Sequence, residues 1–373
     1  MTSPYRYCML SHFFPTCMRT YSPYLLLLAL LTSACSSPDF DVVISNGLIV
    51  DGSGSEPYSG DIGINADTIA AIGDLTAFSG SIELDAEGKA ITPGFINMLS
   101  WAPGDLMKDG RSMGDIVQGV TLEVFGEGWS EGPLTEEMKS SEYAANNRPE
   151  WTTLREFLDV LETQGISTNV ASFIGATTVR VHEVGYEDRA PTNDELQRMK
   201  ALVRQAMEEG AMGIGTSLIY APAFYASTQE LIELSRVAAE YDGMYISHMR
   251  SEGNQLLEAL EELITISREA GIRAEVYHLK AGGESNWHKM DLAIARIEKA
   301  RASGLHITAD MYTYVAGATG LDAHMPPWVQ EGGFGAWRER LMDPDIRANV
   351  LQEMRTPTNE WENLGLGAGP EGI

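Results

Sequence analysis

The sequence predicts an α/β protein: a (β/α)₈ barrel that is incomplete because its last strand is missing, preceded by a small N-terminal β segment. Residues 41–90 alternate between apolar and polar positions and contain several turn signals, a pattern typical of short strands without helices. After residue 90, apolar runs alternate with amphipathic runs, and four successive units of about 30 residues imply parallel strands joined by right-handed crossovers. Seven strand-like runs suit such a barrel better than an open doubly wound sheet.

The composition is that of a globular protein with a strongly acidic surface. The chain has 373 residues, of which 44% are hydrophobic and 21% are charged, which is close to average usage and enough for a sizeable core. It carries 26 Lys plus Arg against 53 Asp plus Glu, a formal net charge of −27. This surface repels phosphate backbones and anionic headgroups, which argues against nucleic-acid binding and against a polybasic membrane-docking face.

Residues 1–35 are predicted to form a lipoprotein-type signal peptide. The apolar run at 24–31 is too short to span a bilayer, and small residues and Cys35 follow it. This ending resembles a bacterial lipobox, so Cys35 is the predicted lipidation site and the lipid anchor the only expected membrane contact. The alternatives are a plain cleaved signal peptide or an apolar N-terminal helix. The predicted location is the cell envelope or periplasm, with the outer membrane of a Gram-negative bacterium favoured by the two serines after the cysteine.

All three cysteines lie in this segment, and none is found in the remaining 338 residues. A disulfide framework, a cysteine–zinc site and a cysteine nucleophile are therefore excluded from the folded body. Any metal bound there must use histidine and carboxylate ligands.

Two turn signals divide the N-terminal β segment at 41–90. Asn46-Gly47 lies between two short apolar runs and predicts a hairpin turn. Residues 65–67 predict a second turn. Because no helical pattern separates the runs, we expect a small antiparallel unit.

The partial barrel is assigned to residues 91–373. Its strands are predicted at 91–99, 120–125, 168–174, 212–220, 244–248, 274–278 and 306–312. Thr192 and Glu195 form a capping box that opens a helix ending at Gly210. Further helices are predicted at about 227–243, 255–271 and 290–302.

Only two of the six histidines in the body end a predicted barrel strand. His248 and His278 are 30 residues apart, which is one βα unit. Because neighbouring parallel strands lie about 4.8 Å apart, both imidazoles reach the same C-terminal mouth of the barrel. Two imidazoles there suit a divalent metal, and zinc is the default for nitrogen and oxygen ligands. The alternative is that each is a core or surface histidine.

Several polar residues follow strands at the same mouth. Glu127, after the second strand, can complete a two-histidine, one-carboxylate site, or it is a solvated acid. Lys280 can hold a substrate carboxylate, or it is a surface lysine. Tyr220, Tyr312 and Arg250 can hydrogen-bond a substrate or pack at the rim.

Segments from about residue 41 to 330 resemble the N-acyl-D-amino-acid deacylase (D-aminoacylase) branch of the amidohydrolase superfamily. The segments are ITPGFIN at 91–97, GVTLEVFG at 119–126, NVASFIGATTVR at 169–180, RAPTNDEL at 189–196, EGAMGIGTSLIYAPAFYAST at 209–228, YISHMRSEG at 245–253, YHLKAGG at 277–283 and TADMYTY at 308–314. The resemblance implies a small β-sandwich and a metal-bearing (β/α)₈ barrel. It also implies hydrolysis of the amide of an N-acyl-D-amino acid by metal-activated water, with an Asp on the last strand as general base.

By motif match, His248 and His278 take the family's two ligand positions on strands five and six. Lys280 and Tyr312 take positions that grip the substrate carboxylate. The expected strand-eight Asp lies beyond Ile373, so the catalytic residue is unknown and the chain as given is expected to lack activity.

The sequence departs from the family pattern at two strand ends. Leu99 and Trp101 stand where the family has two histidines, so the second metal site is predicted to be lost. Gly128 stands at the position of a cysteine ligand, and Glu127 is our hypothesis for its substitute.

The resulting prediction is a hydrolase of linear amides with one zinc per chain, acting on N-acyl-D-amino acids or related N-acyl amino acids and dipeptides. One alternative is an amidohydrolase for another amide or a cyclic imide. The other is a non-catalytic envelope lipoprotein that keeps the barrel as a binding scaffold.

Overall fold

A computed structural model describes residues 38–140 and 149–369, which divide into two compact units between Pro93 and Gly94. The predicted signal peptide and Cys35 lie outside the described residues, so export and lipidation stay predictions. Among the described residues, no helix combines the length and apolarity needed to cross a bilayer.

The described part of the first unit is a five-stranded mixed sheet with the order β3-β2-β1-β4, in which β5 also pairs with β1. The strands are β1 (Phe40–Ile49), β2 (Tyr58–Asn65), β3 (Thr68–Gly73), β4 (Gly80–Asp85) and β5 (Ala90–Ile91). The turn at 65–67 is confirmed, because β2 and β3 form an antiparallel hairpin around it. The expectation of a wholly antiparallel unit is wrong, because β4 and β5 both pair with β1 in parallel. The second sheet of a sandwich stays a prediction.

The hairpin turn predicted at Asn46-Gly47 is also wrong. The strand β1 runs through both residues, and its register against β2 shifts between Ile44 and Gly47. Asn46 adopts a φ of 56°, its backbone N–H donates to Asp61, and its amide donates to Asp85. These long-range hydrogen bonds hold the left-handed residue in a bulge inside one strand.

The second unit is built on parallel strands in chain order. They are β6 (Phe95–Asn97), β7 (Val120–Phe125), β8 (Asn169–Ser172), β9 (Ile174–Gly175), β10 (Gly213–Ser217), β11 (Met244–His248), β12 (Arg273–Val276) and β13 (Ile307–Ala309). They pair as β6-β7-β8 and as β13-β12-β11-β10-β9, and only Phe173 separates β8 from β9. The α/β class is confirmed, while closure into a barrel stays a prediction.

Helices connect these strands. The described α-helices are α1 (Pro103–Leu106), α2 (Met113–Ile116), α3 (Glu136–Ser140), α4 (Leu154–Gln164), α5 (Ala176–Glu183), α6 (Asn193–Glu208), α7 (Thr228–Ala239), α8 (Leu256–Ala270), α9 (Met290–Ala302), α10 (Gly333–Met342), α11 (Pro344–Met354) and α12 (Leu364–Ala368). Short 3₁₀ segments lie at Ala223–Tyr225, Glu284–Lys289, Leu321–His324 and Pro327–Gln330. The capping box of Thr192 and Glu195 opens α6, as predicted.

Buried residues of the second unit form two clusters on opposite faces of the strands. A large cluster fills the space between strands and helices and includes Phe125 and Tyr245. A small inner cluster contains Val124, Phe173 and Ile246, with Tyr277 just after β12. Because side chains alternate along a strand, membership in the inner cluster shows which residues face inward.

Candidate metal centre

The imidazole of His248 reaches the site through regular strand geometry. His248 is the last residue of β11 and lies two positions after Ile246 of the inner cluster. A period of two therefore turns it to the inner side at the carboxyl end of the strand. Its side chain is buried, as the predicted position requires.

His278 reaches the same place only because its backbone departs from strand geometry. Tyr277 belongs to the inner cluster, so strict alternation would point His278 away from it. Instead, His278 has a φ of 76°, a left-handed conformation uncommon for any residue but glycine. Its ring lies against His248, with centroids 4.5 Å apart and planes at 87°. Unfavourable backbone conformations of this kind cluster at active sites and ligand clamps.

Glu127 reaches the site through a similar departure from strand geometry, directly after β7. Gly126 has a φ of 103°, and a Cβ there would lie 2.4 Å from the carbonyl oxygen of Phe173. Only glycine fits this close approach, and it turns the next side chain into the mouth. Gly128, at the position of the family cysteine, is also crowded, because a Cβ there would lie 2.1 Å from Ser217 Oγ.

One ligand atom from each of the three predicted metal residues converges. Glu127 Oε1 lies 3.0 Å from His248 Nδ1 and 3.5 Å from His278 Nε2, and the two nitrogens are 3.1 Å apart. Two atoms bound to zinc at about 2.0–2.1 Å in tetrahedral geometry would be roughly 3.4 Å apart. All three side chains are buried. Two histidines and one carboxylate form a donor set that catalytic zinc sites use with a fourth position open, so these residues fit the metal.

The charges around Glu127, His248 and His278 also favour the binding of a cation. Burial would raise the pKa of Glu127, but hydrogen bonds with His248 and His278 outweigh it and lower the pKa to about 2. Burial would lower the pKa of His278, but hydrogen bonds with Glu127 and Glu252 raise it to about 9. A metal that binds here at neutral pH would therefore displace a proton from His278, which lies between the carboxylates of Glu127 and Glu252.

The residues that replace the family's strand-one histidines do not ligate. Leu99 packs against the inner cluster. The indole Nε1 of Trp101 donates to Glu127 Oε2 at 2.8 Å, leaving Oε1 directed at the two imidazoles. The departure from the family pattern thus supplies a hydrogen bond to Glu127, the candidate substitute ligand.

Glu252, which ends no predicted strand, is buried beside the three candidate ligands. Its Oε1 lies 2.8 Å from His278 Nδ1 and accepts from Lys280 Nζ at 2.6 Å. Burial would raise its pKa, but the charge of His248 and the hydrogen bond with His278 lower the pKa to about 2. The one sequence signal that could have found it was its place four residues after His248, in a loop leaving the mouth.

Three of the four predicted substrate-binding residues surround the imidazoles. Lys280 Nζ lies 5.5 Å from the centre of the Tyr312 ring, and its side chain is 32% exposed. The ring of Tyr312 lies 6.4 Å from that of His278. The ring of Tyr220 lies 5.3 Å from that of His248, and its hydroxyl hydrogen-bonds with Thr319. Their roles toward a substrate stay predictions.

Arg250, the fourth predicted substrate-binding residue, already has several protein partners. Its guanidinium donates twice to Glu262 at 2.9 Å. It also donates to the carbonyl oxygens of Phe224 and Ala226. These bonds hold the loop after β10, and a substrate role stays a prediction.

Asp310, which lies inside the strand predicted at 306–312, follows β13 directly and lines the mouth. Burial and the neighbouring Glu275 carboxylate raise the pKa of Asp310 to about 7. The metal group, Lys280 and Tyr312 line the same open cleft of about 2800 Å³. The cleft is large enough for a small-molecule substrate.

Comparison with known proteins supports the resemblance. No family model matches the chain. It is 33% identical over 293 residues to a D-aminoacylase of Alcaligenes xylosoxydans xylosoxydans, a match covering 78% of this chain and 60% of the relative. Two solved D-aminoacylase structures, one described as defining a subset of amidohydrolases and one by its binuclear metal centre, are 34% identical with TM-scores of 0.69 and 0.68. Each match covers 74% of this chain and 59% of the solved chain.

A fourth relative has a metal and an inhibitor in its structure. This N-acyl-D-glutamate deacylase from Bordetella bronchiseptica, complexed with zinc and a phosphonate mimic of the tetrahedral intermediate, is 31% identical with a TM-score of 0.67. The match covers 74% of this chain and 59% of that chain.

The parallel α/β unit and the identity to D-aminoacylases over about three quarters of the chain place it in the amidohydrolase superfamily. Within that superfamily it is a homologue of the N-acyl-D-amino-acid deacylases, which confirms the resemblance found in its motifs. The chain spans about 60% of the length of the curated relatives it matches.

Proposed function

We propose that this protein is a metal-dependent hydrolase of the amide bond in N-acyl-D-amino acids or related N-acyl amino acids. One zinc per chain is held by His248, His278 and Glu127. The observation that carries the proposal is the convergence of three buried ligand atoms 3.0–3.5 Å apart. The homology to D-aminoacylases supports the substrate class.

A metal bound by these residues would polarise the substrate carbonyl and lower the pKa of a water molecule. The chain's own residues orient the reactants. Lys280, partly exposed in the mouth, binds the carboxylate of an N-acyl amino acid, and the Tyr312 ring forms the wall beside it. Trp101 holds Glu127 so that one oxygen faces the imidazoles.

The rival function is a non-catalytic binding scaffold in the cell envelope. Its specific support is the replacement of three usual ligand positions by Leu99, Trp101 and Gly128. The crowding at Gly128 prevents a side chain from ligating there without movement of Ser217. The surviving three-residue group favours the hydrolase.

The deciding experiment measures zinc content and amide hydrolysis in the natural gene product. We expect one zinc per chain, and release of free amino acid from N-acetyl-D-amino acids in preference to the L forms. The double variant His248→Ala, His278→Ala should lose both zinc and hydrolysis. His288→Ala is the matched control, because His288 is exposed on a 3₁₀ segment.

Absence of stoichiometric zinc in the wild-type protein would overturn the hydrolase and support the scaffold. Zinc with hydrolysis of cyclic imides, but not of N-acyl amino acids, would keep the metal centre and replace the substrate class.

A further inference from the structure

Glu252 lies at the Nδ1 edge of the His278 ring, and its other oxygen, Oε2, lies 3.7 Å from His248 Nε2. The ring's Nε2 faces His248 and Glu127, at 3.1 and 3.5 Å. Its Nδ1 faces Glu252 Oε1 at 2.8 Å, and the Glu252 side chain is only 8% exposed. One imidazole therefore connects a buried carboxylate to the place where the metal would bind.

Lys280 competes for the same ring nitrogen. Its Nζ lies 3.0 Å from His278 Nδ1, while it also donates to Glu252 Oε1 at 2.6 Å. Nδ1 cannot donate to Glu252 and accept from Lys280 at once. If it accepts, the neutral ring carries its proton on Nε2, which then has no lone pair for a metal. If it donates, Nε2 is free.

We propose that Glu252 is a positioning residue that selects the tautomer of His278 in which Nε2 binds the metal. An ionised carboxylate can only accept, so its contact with Nδ1 requires a proton there. The same carboxylate pairs with Lys280 and so weakens the competing donor. Metal-bound histidines commonly donate their second N–H to such a carboxylate. The inference rests on the proposed metal centre and deepens it.

The first test is zinc affinity, measured by competition with a chromogenic chelator. Glu252→Ala should weaken binding about 10- to 100-fold, the usual effect of losing a partner of a metal ligand. Glu252→Gln should lose less, because its amide oxygen can still accept from Nδ1. Glu258→Gln is the control, since Glu258 is exposed on α8.

The second test reports the tautomer directly by ¹⁵N NMR of His278 in the metal-free protein, at a pH where the ring is neutral. The wild-type ring should be protonated on Nδ1, and the Glu252→Ala ring on Nε2. The double variant Glu252→Ala, Lys280→Met should regain part of the lost zinc affinity, because the competing donor is gone. A purely structural role of Glu252 would produce neither effect.

Unchanged zinc affinity together with an Nδ1-protonated ring in Glu252→Ala would overturn the inference and leave the proposed function intact. A wild-type protein without zinc would overturn the proposed function, yet the metal-free tautomer comparison would still decide this inference. If the alanine variant does not fold, Glu252→Leu, which fills the buried space but offers no acceptor to Nδ1, carries the same comparison with the same expected effects.

Discussion

At the residue scale, two positive φ angles bring the candidate site together. Gly126 and His278 both interrupt the alternation of a strand where it enters the mouth. Without these interruptions, Glu127 and His278 would point toward the helices. Phe125 and Val276, two positions before them, belong to the large cluster between strands and helices, and side chains two positions apart share one face of a strand. Backbone conformations that are costly elsewhere therefore direct two candidate ligands toward one point here.

Gly126→Ala tests this use of the backbone. The variant should lose about 1–3 kcal/mol of unfolding free energy from the left-handed φ, and a similar amount from the close approach to the Phe173 carbonyl. It should also bind zinc more weakly, because Glu127 must move. Denaturant unfolding and zinc titration measure the two effects.

Gly210→Ala is the matched control for that variant. Gly210 has a φ of 105°, but nothing lies within 4 Å of the position that an added methyl group would take. The control should show the backbone cost alone and bind zinc normally. Equal losses of stability and of zinc affinity in the two variants would contradict the role assigned to Gly126.

The convergence of the three candidate ligands could be predicted from sequence because each lies at or just after the end of a strand, and strand ends meet at one edge of a parallel sheet. Glu252 could not, because no periodicity tells how a loop after β11 folds back onto the next histidine. Asp310 was not predicted as a site residue, because the predicted strand ran to residue 312, whereas β13 ends at Ala309. That shorter strand places Asp310 at its carboxyl end.

At the scale of elements, local signals were reliable where the hydrogen-bond partners are also local, and the Asn46-Gly47 signal failed because its partners lie far along the chain. Thr192 and Glu195 bond to each other's backbone within one helical turn, so four residues of sequence determine that helix start. The helix α8 ends at Gly271, in the left-handed conformation that glycine favours. Asn46, in contrast, bonds to Asp61 and Asp85, partners that a short window does not contain.

The pairing of β12 with β13 brings two acids together. Glu275 lies opposite Thr308 and accepts from its hydroxyl at 2.7 Å, and Asp310 follows two residues later. Burial and Glu275 raise the pKa of Asp310 to about 7, well above its value of 3.8 in an unfolded chain. The contribution of Asp310 to the unfolding free energy is therefore fully present below pH 3.8. It is lost as the pH rises through 7, where the buried carboxyl must ionise.

Asp310→Asn should remove the fall in unfolding free energy that ionisation of Asp310 causes at high pH. In protein freed of metal with a chelator, the variant should match the wild type near pH 4 and exceed its unfolding free energy at pH 8. The upper bound is about 4 kcal/mol, at about 1.4 kcal/mol for each unit of pKa shift. Chemical denaturation at pH 4, 6 and 8 gives the difference between the two proteins.

Asp188→Asn, at an exposed position, serves as its control and should not reproduce the gain in unfolding free energy at pH 8. A variant at position 310 that is equally or less stable at pH 8 would show that Asp310 is ionised without penalty.

At the scale of the whole molecule, the sequence predicted the order of the parallel strands, because each βα unit repeats one pattern of periodicity. It did not predict the parallel strands of the first unit, since β4 and β5 reach β1 through connections that carry no such repeat. The family likeness extends over 78% of the chain, which is why motif order could support the fold where periodicity was weak.

The net charge of −27 leads to a prediction for the whole chain. Described ion pairs such as Lys200–Glu233, at 2.8 Å, are much shorter than the Debye length of about 8 Å at 0.15 M salt, so moderate salt weakens them little. Repulsion between the excess acids acts over longer distances and is screened first.

At pH 8, raising NaCl from 0.01 to 0.3 M should therefore raise the melting temperature by a few degrees, since about 1 kcal/mol corresponds to roughly 2–4 °C in a domain of 150–250 residues. Potassium chloride should act equally, and near the isoelectric point of about 4.5 the effect should vanish. A fall in melting temperature at pH 8, or an equal rise at both pH values, would mean that close ion pairs or nonspecific salt effects dominate the electrostatics of this protein.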